Sequence, residues 1–206
     1  MSGVPDNEYK GANEMGRIYY IMGKSATGKD TIYKEVLKVR PDLKTIVMYT
    51  TRPIREGETD GVEYHFRSIP EMEALKDSGK MIELRMYQTV VGPWYYFTMD
   101  DGQFDLESNT NYLMIGTLES YEKMLGYFGQ DAIWPIYIEV PDGVRLQRAV
   151  ARESAQKKPN YKETCRRYLA DEDDFSEENL QKLMIEKRYL NLELETCLIS
   201  VLEDIS

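Results

Sequence analysis

The sequence predicts an α/β fold: a parallel sheet core flanked by helices, with a small mixed β lobe inserted into it. Three observations carry the prediction. A short apolar run near the start passes through a small-residue loop into a helical pattern. A strand–helix–strand succession follows between residues 111 and 140. A polar, turn-rich stretch over 51–105 separates the two. Strands joined by helices favour parallel pairing, because returning the chain to the same end of the sheet takes about the length of a helix.

Taken in order, residues 1–15 mix Gly, Pro, Asn and acids without periodicity and read as a loose arm, with one domain over 16–206. Arg17-Ile18-Tyr19-Tyr20-Ile21-Met22 is a β-favouring run that fits a buried strand. From Asp30 the apolar positions Ile32, Tyr33, Val36 and Leu37 fall at helical spacing until Pro41. Thr45–Thr50 is strand-like again. Residues 51–68 are rich in turns, and two strands are expected around the aromatic stretch Trp94–Phe97. Asn111–Ile115 and Ile133–Val140 read as further buried strands, with a helix from about Leu118 to Phe128 between them. Helices are expected at about 142–156, 161–171 and 177–187. Leu194, Leu198, Val201, Leu202 and Ile205 form one face of a last helix. The core thus covers about 16–50 and 106–206, and the lobe about 51–105.

Composition narrows the function. The 206 residues are 42% apolar and 30% charged, values of an ordinary globular domain. No apolar run approaches the roughly 20 residues of a membrane helix, and the first 14 residues contain no hydrophobic signal segment, so a cytoplasmic protein is expected. One histidine and two cysteines, Cys165 and Cys197, give no metal-ligand spacing, and both cysteines read as buried thiols. Twenty-six basic residues against 36 acidic ones give a net charge of −10, which argues against nucleic acid or an anionic membrane as partner. A small anionic ligand then needs its positive charges concentrated locally.

They are concentrated at two places. Gly23-Lys24-Ser25-Ala26-Thr27-Gly28-Lys29 lies between the first strand and the first helix, with the G-x-x-x-x-G-K spacing of a phosphate-binding loop. Glycines let the backbone curl so that N–H groups converge on a phosphate, the helix N-terminus adds positive potential, and Lys29 reaches the β/γ-phosphates. The next position, where Ser or Thr ordinarily ligates Mg²⁺, is Asp30, followed by Thr31. An aspartate there can bind Mg²⁺ or act simply as a first-turn helix acid, and both readings stay open.

The second place is Thr50-Thr51-Arg52-Pro53-Ile54-Arg55-Glu56-Gly57-Glu58-Thr59-Asp60-Gly61-Val62-Glu63-Tyr64. Two arginines three residues apart in a restrained loop can grip phosphate oxygens bidentately. This segment resembles the T-T-R-x-x-R-x-G-E-x-D-G-x-x-Y signature of guanylate kinases, closely over residues 17–66 and more faintly to about 205.

The resemblance implies a P-loop NTPase-type core, a nucleoside-monophosphate-binding lobe and a helical lid at about 148–170. It also implies transfer of a phosphoryl group from ATP, with Mg²⁺, to GMP or dGMP. By the same resemblance Gly23 to Thr31 hold ATP, and Arg52, Arg55 and Tyr64 hold the acceptor phosphate. Glu83 falls where the family has a base-reading glutamate before a Trp-Ala pair. Arg148 and Arg152 match lid arginines and Asn191 an asparagine near the adenine, while Lys29, Arg52, Arg148 and Arg152 are the catalytic set. Arg166 or Arg167 matches a later lid arginine, and Gly92–Thr98 resembles a tyrosine-glycine segment.

The chain also departs from the family. A serine four residues before the first clamp arginine is Met48 here, and an Asp-x-Asp after the later core strand is Met114-Ile115-Gly116. Asp100, Asp101, Asp105 and Glu119 are acids that can replace it or simply sit in solvent. A changed acceptor base and a non-catalytic binding module are the alternatives these departures open. His65 reads as structural, since a phosphate acceptor needs no strong base.

Overall fold

The computed structural model describes residues 15–89 and 92–205. The arm expected over 1–15 lies, apart from Met15, outside the described residues. In chain order the elements are β1 (Ile18–Met22), α1 (Lys29–Val39), β2 (Lys44–Thr45), β3 (Tyr49–Thr50), β4 (His65–Phe66), α2 (Ile69–Asp77), β5 (Met81–Thr89) and β6 (Gly92–Met99). These are followed by β7 (Tyr112–Gly116), α3 (Leu118–Phe128), β8 (Ile133–Glu139), α4 (Asp142–Ser154), α5 (Tyr161–Asp174), α6 (Glu177–Lys182), β9 (Arg188–Leu190) and α7 (Leu194–Asp204).

The core is a parallel sheet in the order β2-β7-β1-β8-β9. β1 is central and every residue in it is buried, which is why it reads as a continuous apolar run. Its side chains still alternate. Ile18, Tyr20 and Met22 pack with Tyr121, Met124, Phe175 and Leu180 on one face, and Tyr19 and Ile21 pack with Ile32, Val36, Val201 and Ile205 on the other. Helices therefore cover both faces, as the sequence predicts.

A second, mixed sheet follows the order β4-β3-β6-β5, with β3 and β4 parallel and the β3–β6 and β5–β6 pairs antiparallel. Helix α2 packs on it through Met72, beside Tyr49, Phe97 and Met99. Lys123 of α3 ties this sheet to the core by donating to the Leu84 carbonyl at 2.9 Å.

Four local expectations need correction. The strand expected over Thr45–Thr50 is two strands. β2 pairs with β7 in the core and β3 with β6 in the second sheet, so the chain crosses between sheets at residues 46–48. The helix expected to 187 ends at Lys182, because Met184 takes a left-handed φ of 55° and Arg188–Leu190 then pairs with β8 as a strand. Helix α2 was not expected; Ser68 opens it with a capping box to Glu71. Cys165 is exposed, since α5 has no buried residue, while Cys197 is buried and its thiol is pushed up to about 11.

Candidate active site

The phosphate loop is shaped by close approach. A side chain at Gly23 would meet the Ile138 carbonyl at 2.4 Å. Gly28, the residue before α1, combines a φ of 83° with the Asn191 amide, which a Cβ would meet at 2.6 Å. Asn191 is buried and donates to the Thr27 carbonyl at 2.7 Å, so β9 fixes the end of the loop. The Thr27 hydroxyl closes the turn onto the Lys24 carbonyl at 2.9 Å, and Ala26 holds a left-handed φ of 66°. Gly28 has no side chain to accept from the N–H groups that open α1, at the end of a helix that suits a phosphate. Lys29 lies 3.7 Å from Asp30, whose side chain is 77% exposed on the first turn, and Thr31 follows it there.

Acids from α5 sit on this loop. Asp171 accepts from the Ser25 backbone N–H at 2.7 Å, and Glu172 pairs with Lys24 at 2.7 Å. Both also pair with Arg145 of α4, whose side chain is fully buried and whose guanidinium lies 3.8 Å over the Tyr168 ring. Reading the sequence by motif missed Arg145. Its position one helical turn before Arg148 was the available signal.

The arginines assigned to the lid are placed differently from one another. Arg148 donates to the Asn191 and Leu192 carbonyls at 3.0 and 3.2 Å, against the loop. Arg152 is exposed and, with Ser25, Arg145, Arg167 and Tyr168, lines a cavity of about 760 Å³ between α4 and α5. Arg166 and Arg167 both grip Glu163, each at 2.8 Å, and hold its carboxyl down at about 2.

The arginine segment sits on the second sheet. Arg52 is buried and bidentate to Glu58, at 2.7 and 2.5 Å, and lies over the rings of Tyr64 and Phe66. The pairing holds the Glu58 carboxyl down at about 2 and raises Arg52 further. Gly57, at a φ of 86°, turns the chain so that Glu58 also accepts from the Arg55 N–H at 2.8 Å. The Arg55 side chain is exposed at this rim. Burial raises the Tyr64 hydroxyl, against the pull of Arg52 and Arg85.

Glu83 is buried on β5. It accepts from Arg85 Nε at 2.9 Å and from the Thr98 hydroxyl at 2.8 Å, and β5–β6 pairing sets Glu83 opposite Thr98. Where the resemblance expects Asp-x-Asp, the first acid is replaced by the buried Met114, and at the second a Cβ on Gly116 would lie 2.0 Å from the Tyr20 hydroxyl. Met48 contributes its carbonyl to the His65 N–H, and the His65 ring lies tilted against Tyr49, with centroids 4.6 Å apart. Among the acids that were candidates to replace Asp-x-Asp, Asp100 accepts from Tyr127, Asp101 from Tyr49, and Glu119 pairs with Lys123. Asp105 accepts from the Ser108 N–H.

A sequence model of the guanylate kinase family matches residues 15–96. A guanylate kinase from Salinibacter ruber is 33% identical over 131 residues, 64% of this chain and 68% of that protein. One from Chlorobium luteolum is 45% identical over 69 residues, but that match spans only 34% of this chain and 35% of that protein. One from Neisseria gonorrhoeae is 41% identical over 91 residues, 44% of this chain and 42% of that protein. The crystal structure of guanylate kinase from Anaplasma phagocytophilum superposes with a TM-score of 0.66 over 93% of this chain and 85% of that one. At 17% identity this likeness concerns the fold. A glycine-cornered phosphate loop on a parallel sheet, with an arginine-bearing second sheet inserted, defines the class of P-loop nucleoside monophosphate kinases. The chain belongs to the guanylate kinase family.

Proposed function

We propose that this chain transfers the γ-phosphoryl group of ATP to the phosphate of GMP, with dGMP as a further acceptor. The observation that supports it most is that two cationic groups suited to anions sit on separate sheets of one chain. One is the loop ending in Lys29, at the start of α1. The other is Arg52, pre-set by Glu58 over Tyr64. Transfer between phosphates needs two such sites and little acid–base chemistry, so positioning and charge stabilisation do the work.

In this reading the loop N–H groups and Lys29 hold the donor phosphates, and the triphosphate displaces Asp171 from Ser25 and Glu172 from Lys24. Arg52 and Arg55 hold the acceptor phosphate in line with the γ-phosphate. Arg148 and Arg152 supply positive charge to the group in transfer, and Asn191 borders the adenine. His65, tilted against Tyr49, has a structural role.

Among the described residues no cluster of three or more His, Cys, Asp or Glu could hold a metal ion. Mg²⁺ suits that setting, because it is ordinarily held by substrate phosphates with one or two carboxylates. Asp30 is the carboxylate beside the loop that would hold it, and the ion supplies neutralising charge to the donor phosphates.

A second reading, a guanylate-kinase-like binding module without turnover, draws on the acids lying against Lys24 and Ser25. A coupled assay of ADP release over GMP, dGMP, AMP, CMP and UMP decides between them. The proposal expects release with GMP and dGMP well above the others. Release with a different base alone changes the acceptor, and no release with any of them leaves the binding module.

A further inference from the structure

A polar cluster lies where the second sheet meets the core, and its chemistry is not that of the phosphate ends. The Glu83 side chain is fully buried, and Arg85 is 7% exposed. Arg85 spans the carboxylate, with Nε to one oxygen at 2.9 Å and Nη2 to the other at 3.2 Å, and its Nη1 reaches the Thr117 hydroxyl at 3.3 Å. The second of these carboxylate oxygens also takes the Thr98 hydroxyl, at 2.8 Å.

A guanidinium has five N–H donors and no acceptor, so these contacts leave Arg85 with unused donors. A carboxylate oxygen receiving two donors is close to saturated. The pair therefore has more donating than accepting capacity to offer a third group. Buried donors of this kind are costly when left unmet, and a ligand that meets them gains accordingly.

The neighbours place this surplus beside the acceptor lobe. Burial raises both the Tyr64 hydroxyl, in the segment assigned to the acceptor phosphate, and the Tyr20 hydroxyl, and the Arg85 charge opposes the rise in each. The hydroxyls of Tyr20 and Ser120, both fully buried, receive no hydrogen bond of ordinary geometry. Thr117, the partner of Arg85, also lines a cavity of about 290 Å³ with Tyr87, Glu119 and Asp174. Arg85 thus reaches, through Thr117, the edge of an open space bordered by polar groups.

We propose that Arg85 is a specificity-determining residue for the acceptor base, occupying Glu83 and presenting its spare donors to a carbonyl oxygen at C6 of a purine. This rests on the reading of the chain as a kinase of GMP and specifies how the base is chosen. An arginine fork suits the O6/N7 edge of guanine, whereas adenine offers an N6 amine there that cannot accept. The Glu83 carboxylate keeps a single acceptor site for the amine at C2, on the oxygen that meets only Arg85 Nε, against two spare donors on Arg85. The chain should therefore be strict about the C6 oxygen and lenient about the C2 amine.

Three ribonucleoside monophosphates separate these groups: those of guanine, of hypoxanthine (no C2 amine) and of 2-aminopurine (no C6 oxygen). Titration calorimetry on the full chain without ATP should find the hypoxanthine nucleotide within about threefold of GMP. The 2-aminopurine nucleotide should bind about 10- to 100-fold more weakly, the discrimination expected of one bidentate pair. Arg85→Lys keeps a cation beside Glu83 but loses the fork, and should bring the guanine and 2-aminopurine nucleotides to within about threefold. The inference is overturned if the hypoxanthine nucleotide is the weak one. It is also overturned if folded Arg85→Lys keeps the C6 preference, or if none of the three binds. Should Arg85→Lys fail to fold, the wild-type ranking alone decides. Because the readout is binding, this profile stands or falls separately from turnover: a chain that binds with the expected ranking yet releases no ADP sinks the kinase reading and leaves the role of Arg85.

Discussion

At the second sheet, Arg52 meets an acid six residues further along the chain, Glu58, and at the phosphate loop Lys24 meets one 148 residues away, Glu172. Both pairings place a carboxylate on a cation that a phosphate also suits. In a chain of net charge −10 this keeps concentrated positive charge compensated. Their physical consequences differ. The Arg52–Glu58 pair is closed by one short loop turned at Gly57, so it travels with the second sheet and presents a pre-set arginine. The Lys24–Glu172 and Ser25–Asp171 contacts join two elements, the loop and α5. They persist only while the helix stays against the loop. On the proposed function, this makes the acceptor end preorganised and the donor end gated by exchange of carboxylate for phosphate.

The comparison breaks most completely at Lys29. Lys29→Ala is expected to lower phosphoryl transfer by about 10³-fold or more, since a preorganised charge at the transferring group is lost. The melting temperature should stay within a few degrees, because Lys29 is the first residue of α1 and its ion pair is with the exposed Asp30. Steady-state kinetics at saturating nucleotide, beside a thermal melt, checks both halves.

Arg52→Ala comes next, at about 10²–10³-fold in kcat/KM. The effect should fall on the acceptor, with ATP affinity nearly unchanged. A loss confined to ATP would place Arg52 at the wrong end. At the gated end the expected change has the opposite sign: Asp171→Asn keeps an oxygen for the Ser25 N–H and removes the charge. ATP binding should tighten by about three- to tenfold, the scale of one partly screened charge. GMP binding should not move. Calorimetric titration of each nucleotide into the variant and the wild type reads this directly.

The smallest effect concerns pH. The Glu58 carboxyl is held at about 2 by Arg52, below its ordinary value of 4.5. A depressed carboxyl contributes stability that is complete above the unfolded value and is lost as pH falls from about 4.5 toward 2. Urea midpoints for wild type and Glu58→Gln should therefore converge across that window and remain apart above it. Parallel curves throughout would mean that the pair contributes nothing to the fold.

What the sequence made legible follows the same division between local and distant contacts. The phosphate loop and the Arg52–Glu58 segment are short runs whose residue types and spacing carry their own chemistry. β1 and α1 were readable because their apolar residues face a core. Arg145 and its acids Asp171 and Glu172 come together only when α4 packs against α5, which no local pattern encodes. β9 was hidden because a three-residue strand is too short to show a period, and Leu180 and Leu183 continue a helical spacing past the true end of α6. Helix α2 buries only Met72, so its signal lay in the Ser68–Glu71 cap and not in periodicity. At Glu83 the residue type was readable, and Arg85 two positions on shares its face of β5, but the Thr98 hydroxyl that also meets Glu83 is brought there by pairing with β6.

Phosphorus NMR of ATP, GMP, Mg²⁺ and the full chain tests the central claim most directly, because it distinguishes transfer between two anion sites from hydrolysis at one. The account predicts β-phosphate signals of ADP and GDP growing in equal amounts, without inorganic phosphate, and absent with Lys29→Ala. ADP and inorganic phosphate appearing without GDP, or an unchanged spectrum, would contradict it.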